Sequence, residues 1–177
     1  YLKKNNFEYF LPTRNKYVFK KNLNNIIYCI GTDDIHKKTL ETINSNLFRL
    51  CEVLEKNTFK SFLFISSTRV YFGNKKTKEN ENLAVNSNHK TYKFNLLKLA
   101  SENFCLSKNN KNIKVVRLAN LYGKHFKNQI YLLPTFLRES KKKGKIFFNI
   151  NKNSKKNYVN VDDVIPLIFR IINKSKY

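Results

Sequence analysis

Phe62-Leu63-Phe64-Ile65-Ser66-Ser67-Thr68-Arg69-Val70-Tyr71-Phe72-Gly73 is the stretch whose reading decides the fold. Its opening apolar residues are too few for a helix and belong to the types that favour strands. A run without polar alternation predicts a strand covered on both faces, as in a parallel sheet. The run ends on two serines, so small hydroxyls stand where the strand leaves the sheet. In open α/β sheets, ligands bind beyond the carboxyl ends of the strands. That makes Ser66 and Ser67 the seed of a site; the competing reading is that they only cap or turn the chain.

Upstream, Asn24-Asn25-Ile26-Ile27-Tyr28-Cys29-Ile30-Gly31 predicts a second buried strand. Gly31 at its end permits close approach of backbone or ligand. Leu40, Ile43, Leu47, Leu50 and Leu54 recur at helical steps, predicting a helix over 38–56 with one apolar stripe. Downstream, 74–90 is a long polar loop of the kind that is usually functional or mobile. A helix over 92–106 carries Phe94, Leu97, Ala100 and Phe104 along one side, and 113–118 predicts a third strand, followed by Asn120 and Gly123. Strand, helix, strand, helix, strand in succession argues a parallel sheet with right-handed crossovers. Gly31, Ser67 and Asn120 then fall along one sheet edge.

Towards the termini the pattern loosens. Phe7–Leu11 alternates weakly and reads as a strand ended by Pro12. A short helix is expected over 132–138, a solvated basic loop at Lys141-Lys142-Lys143-Gly144-Lys145, and a strand over 146–150. Asp162 or Asp163 is placed to cap a final helix, with Val164, Leu167, Ile168, Ile171 and Ile172 packing inward and Pro166 in its first turn.

The chain has 177 residues, 41% of them hydrophobic and 14% aromatic, which suits one globular domain with a proper core. No apolar run approaches membrane-spanning length and no signal peptide opens the sequence. Cys29, Cys51 and Cys105 lack paired spacing and read as reduced core residues of a cytoplasmic protein. His36, His89 and His125 show no metal-ligand spacing, so no metal site is expected. The net charge of +23 admits a nucleic-acid partner. However, 29 of the 35 basic residues are lysines scattered along a chain equally rich in Asn, Ile, Phe and Tyr. That pattern points to base composition rather than nucleic-acid recognition.

Four segments in order carry a resemblance: Ser66-Ser67-Thr68-Arg69-Val70-Tyr71; the helix with Lys98-Leu99-Ala100-Ser101-Glu102; Val116-Arg117-Leu118-Ala119-Asn120-Leu121-Tyr122-Gly123; and Asn157-Tyr158-Val159-Asn160-Val161-Asp162-Asp163-Val164. Together they resemble the NAD-dependent epimerase/dehydratase family, extended short-chain dehydrogenase/reductases acting on nucleotide sugars. The resemblance implies an α/β, doubly wound, Rossmann-like parallel sheet: residues 1–125 as a partial NAD(P)-binding core, and 126–177 as a substrate-side segment whose final helix returns to it. It makes Ser67 the hydroxyl that bonds the reacting sugar oxygen, and Lys98 the group that holds the nicotinamide ribose. It also makes Asn120 and Lys156 contacts to the nucleotide sugar, and Gly31 the point where backbone passes close to the cofactor. Homodimers are common in that family. The competing readings are an exposed helix lysine for Lys98 and turn chemistry for Asn120.

Two departures stand beside these matches. The family's tyrosine, which takes the sugar hydroxyl proton, lies four residues before the lysine, and that position is Phe94. Tyr92 is the nearest phenol in sequence but sits about 120° off the Lys98 face of a helix. Further, the four glycines form no GxGxxG loop for a dinucleotide pyrophosphate. The chain opens on Tyr1, and it reads as a piece truncated at the N-terminus and also at the C-terminus. If Phe7–Leu11 were the second family strand, Arg14 would sit where the adenosine ribose is held and would favour NADP over NAD. The expected function is a nucleotide-sugar epimerase, dehydratase or reductase using NAD or NADP, inactivated at Phe94. The alternatives are a non-catalytic nucleotide-sugar or cofactor-binding module and a basic nucleic-acid-binding domain.

Overall fold

A computed structural model describes residues 1–13, 16–17, 22–31, 39–89, 92–124, 131–147, 151 and 153–174. The chain divides into two compact units, Tyr1–Leu118 with Phe169–Tyr177, and Ala119–Ile168.

In the first unit, β1 (Asn22–Tyr28), β2 (Thr58–Ser67) and β3 (Ile113–Leu118) form a parallel sheet in the order β1-β2-β3. Phe62, Leu63 and Phe64 in β2 are fully buried, as the unbroken apolar run predicts for a strand covered on both sides. Phe62 lies opposite Ile26 and Phe64 opposite Tyr28, so these rings share one face, and the Tyr28 ring stacks on that of Phe62. Together with the flanking helices described below, this is the Rossmann-like arrangement of parallel strands and covering helices.

The helix expected over 38–56 is α1 (Thr39–Ile43), one π-helical stretch (Asn44–Phe48) and α2 (Arg49–Lys56) in continuous succession. The wide turn inserts a residue and rotates everything before it. Leu50 and Leu54 are therefore buried as the stripe predicts, together with Val53, whereas Thr42 ahead of the turn and Asn46 within it are buried and Leu40 is exposed. The next helix, α3 (Tyr92–Ser107), departs further from expectation. It buries Phe94, Asn95, Lys98, Ser101, Glu102 and Cys105, and leaves Leu96 and Phe104 in solvent. Cys105 joins Tyr28, Leu50, Val53, Leu54, Phe62, Phe64 and Ile113 in one core cluster.

The expected strand at Phe7–Leu11 is absent: 7–12 is irregular, and the Phe7 ring stacks on Phe169 instead. Arg14 lies outside the described residues.

In the second unit, β4 (Asn120–Tyr122) pairs in parallel with β5 (Tyr158–Asn160). Helix α4 (Leu132–Lys143) runs longer than expected and takes in Lys141, Lys142 and Lys143. Cations in a last turn face the negative end of the helix dipole. Gly144 ends α4 at φ 66, a left-handed position suited to glycine. The strand expected over 146–150 falls largely outside the described residues; Ile146 and Phe147 are irregular.

Helix α5 (Val161–Asn173) begins in the second unit and ends in the first. Its cap is Asn160, whose Oδ1 accepts from the Asp162 amide, rather than either aspartate. Pro166 lies one turn deeper than expected, and Leu167 is half exposed while Val164 and Ile172 are buried. No described helix is long and apolar enough to cross a membrane.

Candidate functional site

The polar face of α3 is the feature that an apolar core does not explain, and the residues around it assemble a site from the tips of β1 and β2. Lys98 is only 7% exposed. Its Nζ lies 3.4 Å from the carbonyl oxygen of Ile65, 4.9 Å from the Phe64 ring centre and 5.8 Å from that of Phe94. Burial pushes this ammonium below the ordinary lysine range; the nearby Cys29 thiol and Glu102 pull weakly the other way.

Gly31, just past β1, closes the far side of the same spot. A methyl group on Gly31 would stand 3.4 Å from Lys98 Nζ and 2.7 Å from Asn46 Oδ1, closer than real side chains pack. A side chain there would push Asn46 aside and narrow the approach to Lys98. Gly31 and Cys29 are exposed, so the Lys98 ammonium sits just behind an open sheet edge.

Phe94 lies one helical turn before Lys98 and is 7% exposed. The Arg69 guanidinium covers its ring at 4.5 Å. Arg69 is held in turn by Ser67, whose Oγ accepts the Arg69 amide at 3.2 Å and caps the short 3-10 turn Thr68–Tyr71. The capping reading of Ser67 is thus observed, and it leaves the hydroxyl's own proton available to donate. Gly31, Lys98, Phe94, Arg69 and Ser67 form one continuous chain of contacts at the strand ends.

Behind them runs a network centred on Glu102 and Arg117, to which the sequence reading gave no role, and it takes in Ser66. Glu102, one turn beyond Lys98 and 3% exposed, accepts from Ser66 Oγ. It also takes a two-pronged bond from Arg117, with Nη2 to Oε2 at 2.7 Å. Arg117 Nη1 reaches the Tyr71 hydroxyl at 2.7 Å. The bond to Glu102 holds the guanidinium charged far above the ordinary arginine range. Ser66 is therefore turned inward, tying β2, α3 and β3 together, and it does not face the sheet edge. One signal was visible beforehand: Arg117 interrupts the apolar strand Ile113–Leu118, and a charge there requires a buried partner.

Tyr71 is committed to Arg117, whose guanidinium also lies over its ring at 4.8 Å. Tyr92 is the first residue of α3, so it remains about 120° from the Lys98 face. Among the described residues no cluster of His, Cys, Asp or Glu has metal-holding geometry.

In the second unit, Asn120 opens β4 and its Nδ2 donates to the Asn157 carbonyl at 3.0 Å. Lys156 is exposed immediately before Asn157. These two residues neighbour one another across the start of the β4–β5 pair.

Comparison with known proteins agrees with this fold. The sequence profile of the NAD dependent epimerase/dehydratase family matches residues 15–177. No curated protein sequence matches. Among solved structures, the chain is similar to a tyrosine-to-phenylalanine mutant of UDP-glucuronic acid 4-epimerase from Bacillus cereus, in complex with UDP-4-deoxy-4-fluoro-glucuronic acid and NAD. The TM-score is 0.69 at 16% identity, covering 86% of this chain and 51% of that one. It is also similar to dTDP-glucose 4,6-dehydratase from Bacillus anthracis in complex with NAD, with a TM-score of 0.65 at 18% identity, covering 86% and 48%. RMD from Pseudomonas aeruginosa complexed with NADPH gives 0.63 at 19% identity, covering 86% and 56%. The chain thus spans about half the length of the structures it matches.

Proposed function

The chain belongs to the NAD-dependent epimerase/dehydratase family, and we propose that it binds a nicotinamide dinucleotide and a nucleotide sugar but has lost proton transfer at Phe94. One observation carries the reading: Lys98 is buried beside a glycine whose added Cβ would crowd Asn46 Oδ1 at 2.7 Å and approach Lys98 Nζ to 3.4 Å, just past the end of a parallel strand. A buried ammonium with a single long bond to a backbone carbonyl suits a ligand that presents hydroxyl oxygens to it. The fit is good on this side of the cofactor. It is not met for the pyrophosphate, because the four glycines of this sequence form no glycine-rich loop.

The dinucleotide, when bound, supplies the hydride acceptor or donor. Lys98 and Gly31 hold its nicotinamide ribose, Ser67 donates its hydroxyl proton to a sugar oxygen, and Asn120 and Lys156 meet the nucleotide diphosphate. Lysine at 156 gives the charge without the two-pronged grip of an arginine. Phe94 fills the volume of the family's tyrosine and offers no group that takes a proton, which typically lowers turnover by ~10²–10⁴-fold.

The test is Phe94→Tyr, assayed for reduction of NAD or NADP with a panel of nucleotide sugars. A gain of that order over the parent supports a decayed enzyme. Dinucleotide binding without any gain supports the binding module. Absence of dinucleotide binding in both proteins overturns the proposal.

A further inference from the structure

We propose that Lys98 is a carbonyl-reactive amine, a site where a small aldehyde condenses to an imine, because it stands between aromatic walls with the one carboxylate on its own helix face already taken. Its Nζ lies 4.9 Å from the Phe64 ring centre and 5.8 Å from that of Phe94, and its bond to the Ile65 carbonyl is long at 3.4 Å. Phenylalanine at position 94 gives it no phenol to bond. Glu102, one turn along, is the natural counter-ion, yet both of its oxygens are engaged by Arg117, and one also by Ser66. Helix α3 therefore buries an ammonium and gives its carboxylate partner to another cation.

A desolvated lysine without a tight ion pair favours its neutral form, and the neutral amine is the nucleophile. The ionisable groups that act on it are Cys29 past β1 and Glu102 and Cys105 on α3, which favour the charged form but are outweighed by burial. Arg69 shares the Phe94 ring and opposes a second positive charge there. Access runs past Cys29 and Gly31, both exposed, and Gly31 carries no side chain to block it.

The chemistry balances without a further reactant. The Nζ lone pair attacks the aldehyde carbon, a proton moves from nitrogen to oxygen, and the carbinolamine expels water to leave a C=N bond. Added cyanoborohydride then delivers a hydride to that carbon and solvent a proton to nitrogen, fixing the product as a secondary amine. The inference goes beyond the proposed function and stands whether or not a dinucleotide occupies the same place.

The experiment treats the native chain with propanal and cyanoborohydride at neutral pH and maps alkylation by peptide mass spectrometry. Lys93, exposed on the same helix, is the internal reference. A lowered pKa raises the neutral fraction of Lys98 at neutral pH, so Lys98 is expected to alkylate faster than Lys93. Alkylation of Lys98 no faster than Lys93 overturns the proposal. Repeating it with NADH separates the two readings. Selective slowing at Lys98 supports both, whereas fast labelling without protection supports the amine and counts against the cofactor assignment. Urea-unfolded chain, in which Lys98 and Lys93 must react alike, shows that the selectivity belongs to the fold.

Discussion

Helices α2 and α3 cover the same face of the first sheet, and they cover it with opposite chemistry. Helix α2 presents Leu50, Val53 and Leu54, whereas α3 presents Asn95, Lys98, Ser101, Glu102 and Cys105. Burying polar groups costs free energy unless each is bonded. Ser101 meets this by donating to the carbonyls of Asn46 and Leu97 at 2.8 Å, and Glu102 by accepting from Ser66 and Arg117. Lys98 has one long bond, 3.4 Å to the Ile65 carbonyl. The contrast teaches how one sheet face is divided: α2 covers it with apolar side chains, and α3 with bonded polar groups that include the proposed site residue Lys98.

Breaking the polar side has the largest expected effect. Glu102→Ala strands the Arg117 guanidinium, whose side chain is 19% exposed, and removing one partner of a buried pair costs about 3–5 kcal/mol. Urea denaturation measures it; a loss within 0.5 kcal/mol (about the scale of an exposed surface substitution) would show the network to be ornamental. On the apolar side, Leu50→Ala removes a fully buried side chain and is expected to cost about 2–5 kcal/mol by the same measurement. Gly31→Ala is milder. Its methyl meets Asn46 Oδ1 at 2.7 Å and forces a local shift, at about 1–3 kcal/mol as for overpacking.

The smallest effect is the most diagnostic. Lys98 binds its proton less tightly when folded than when unfolded, since burial lowers its pKa. Stability therefore rises with pH from the folded pKa of Lys98 up to the unfolded value near 10.5, by at most about 1.4 kcal/mol per pH unit. Lys98→Met removes this rise, and the difference in urea midpoint between the two proteins, followed with pH, reads it directly. Parallel pH curves for the two proteins would mean that the ammonium is not desolvated.

The strand-helix-strand order, the bounds of β3 and the buried run in β2 were legible because apolar periodicity reports burial in a sheet. The inward faces of α1 and α3 were not. Between α1 and α2 a π-helical stretch shifts the phase by a residue, which no spacing rule carries. In α3 the apolar positions Phe104 and Leu96 point outward because the inward ones serve Ser66, Arg117 and the sheet edge. The motif residues Lys98 and Gly31 were nonetheless named from sequence, and the structure places them side by side. Arg69 was overlooked because an arginine just past a strand end reads as a surface residue; the fold puts it over Phe94.

The most direct test is a fluorescence titration of NADH into the native chain and into Lys98→Met, with circular dichroism confirming that both are folded. A ligand face built around this ammonium predicts saturable binding that weakens about tenfold or more in the variant, the loss of one charge-assisted hydrogen bond. Equal affinity in the two proteins, or none in the native chain, contradicts it.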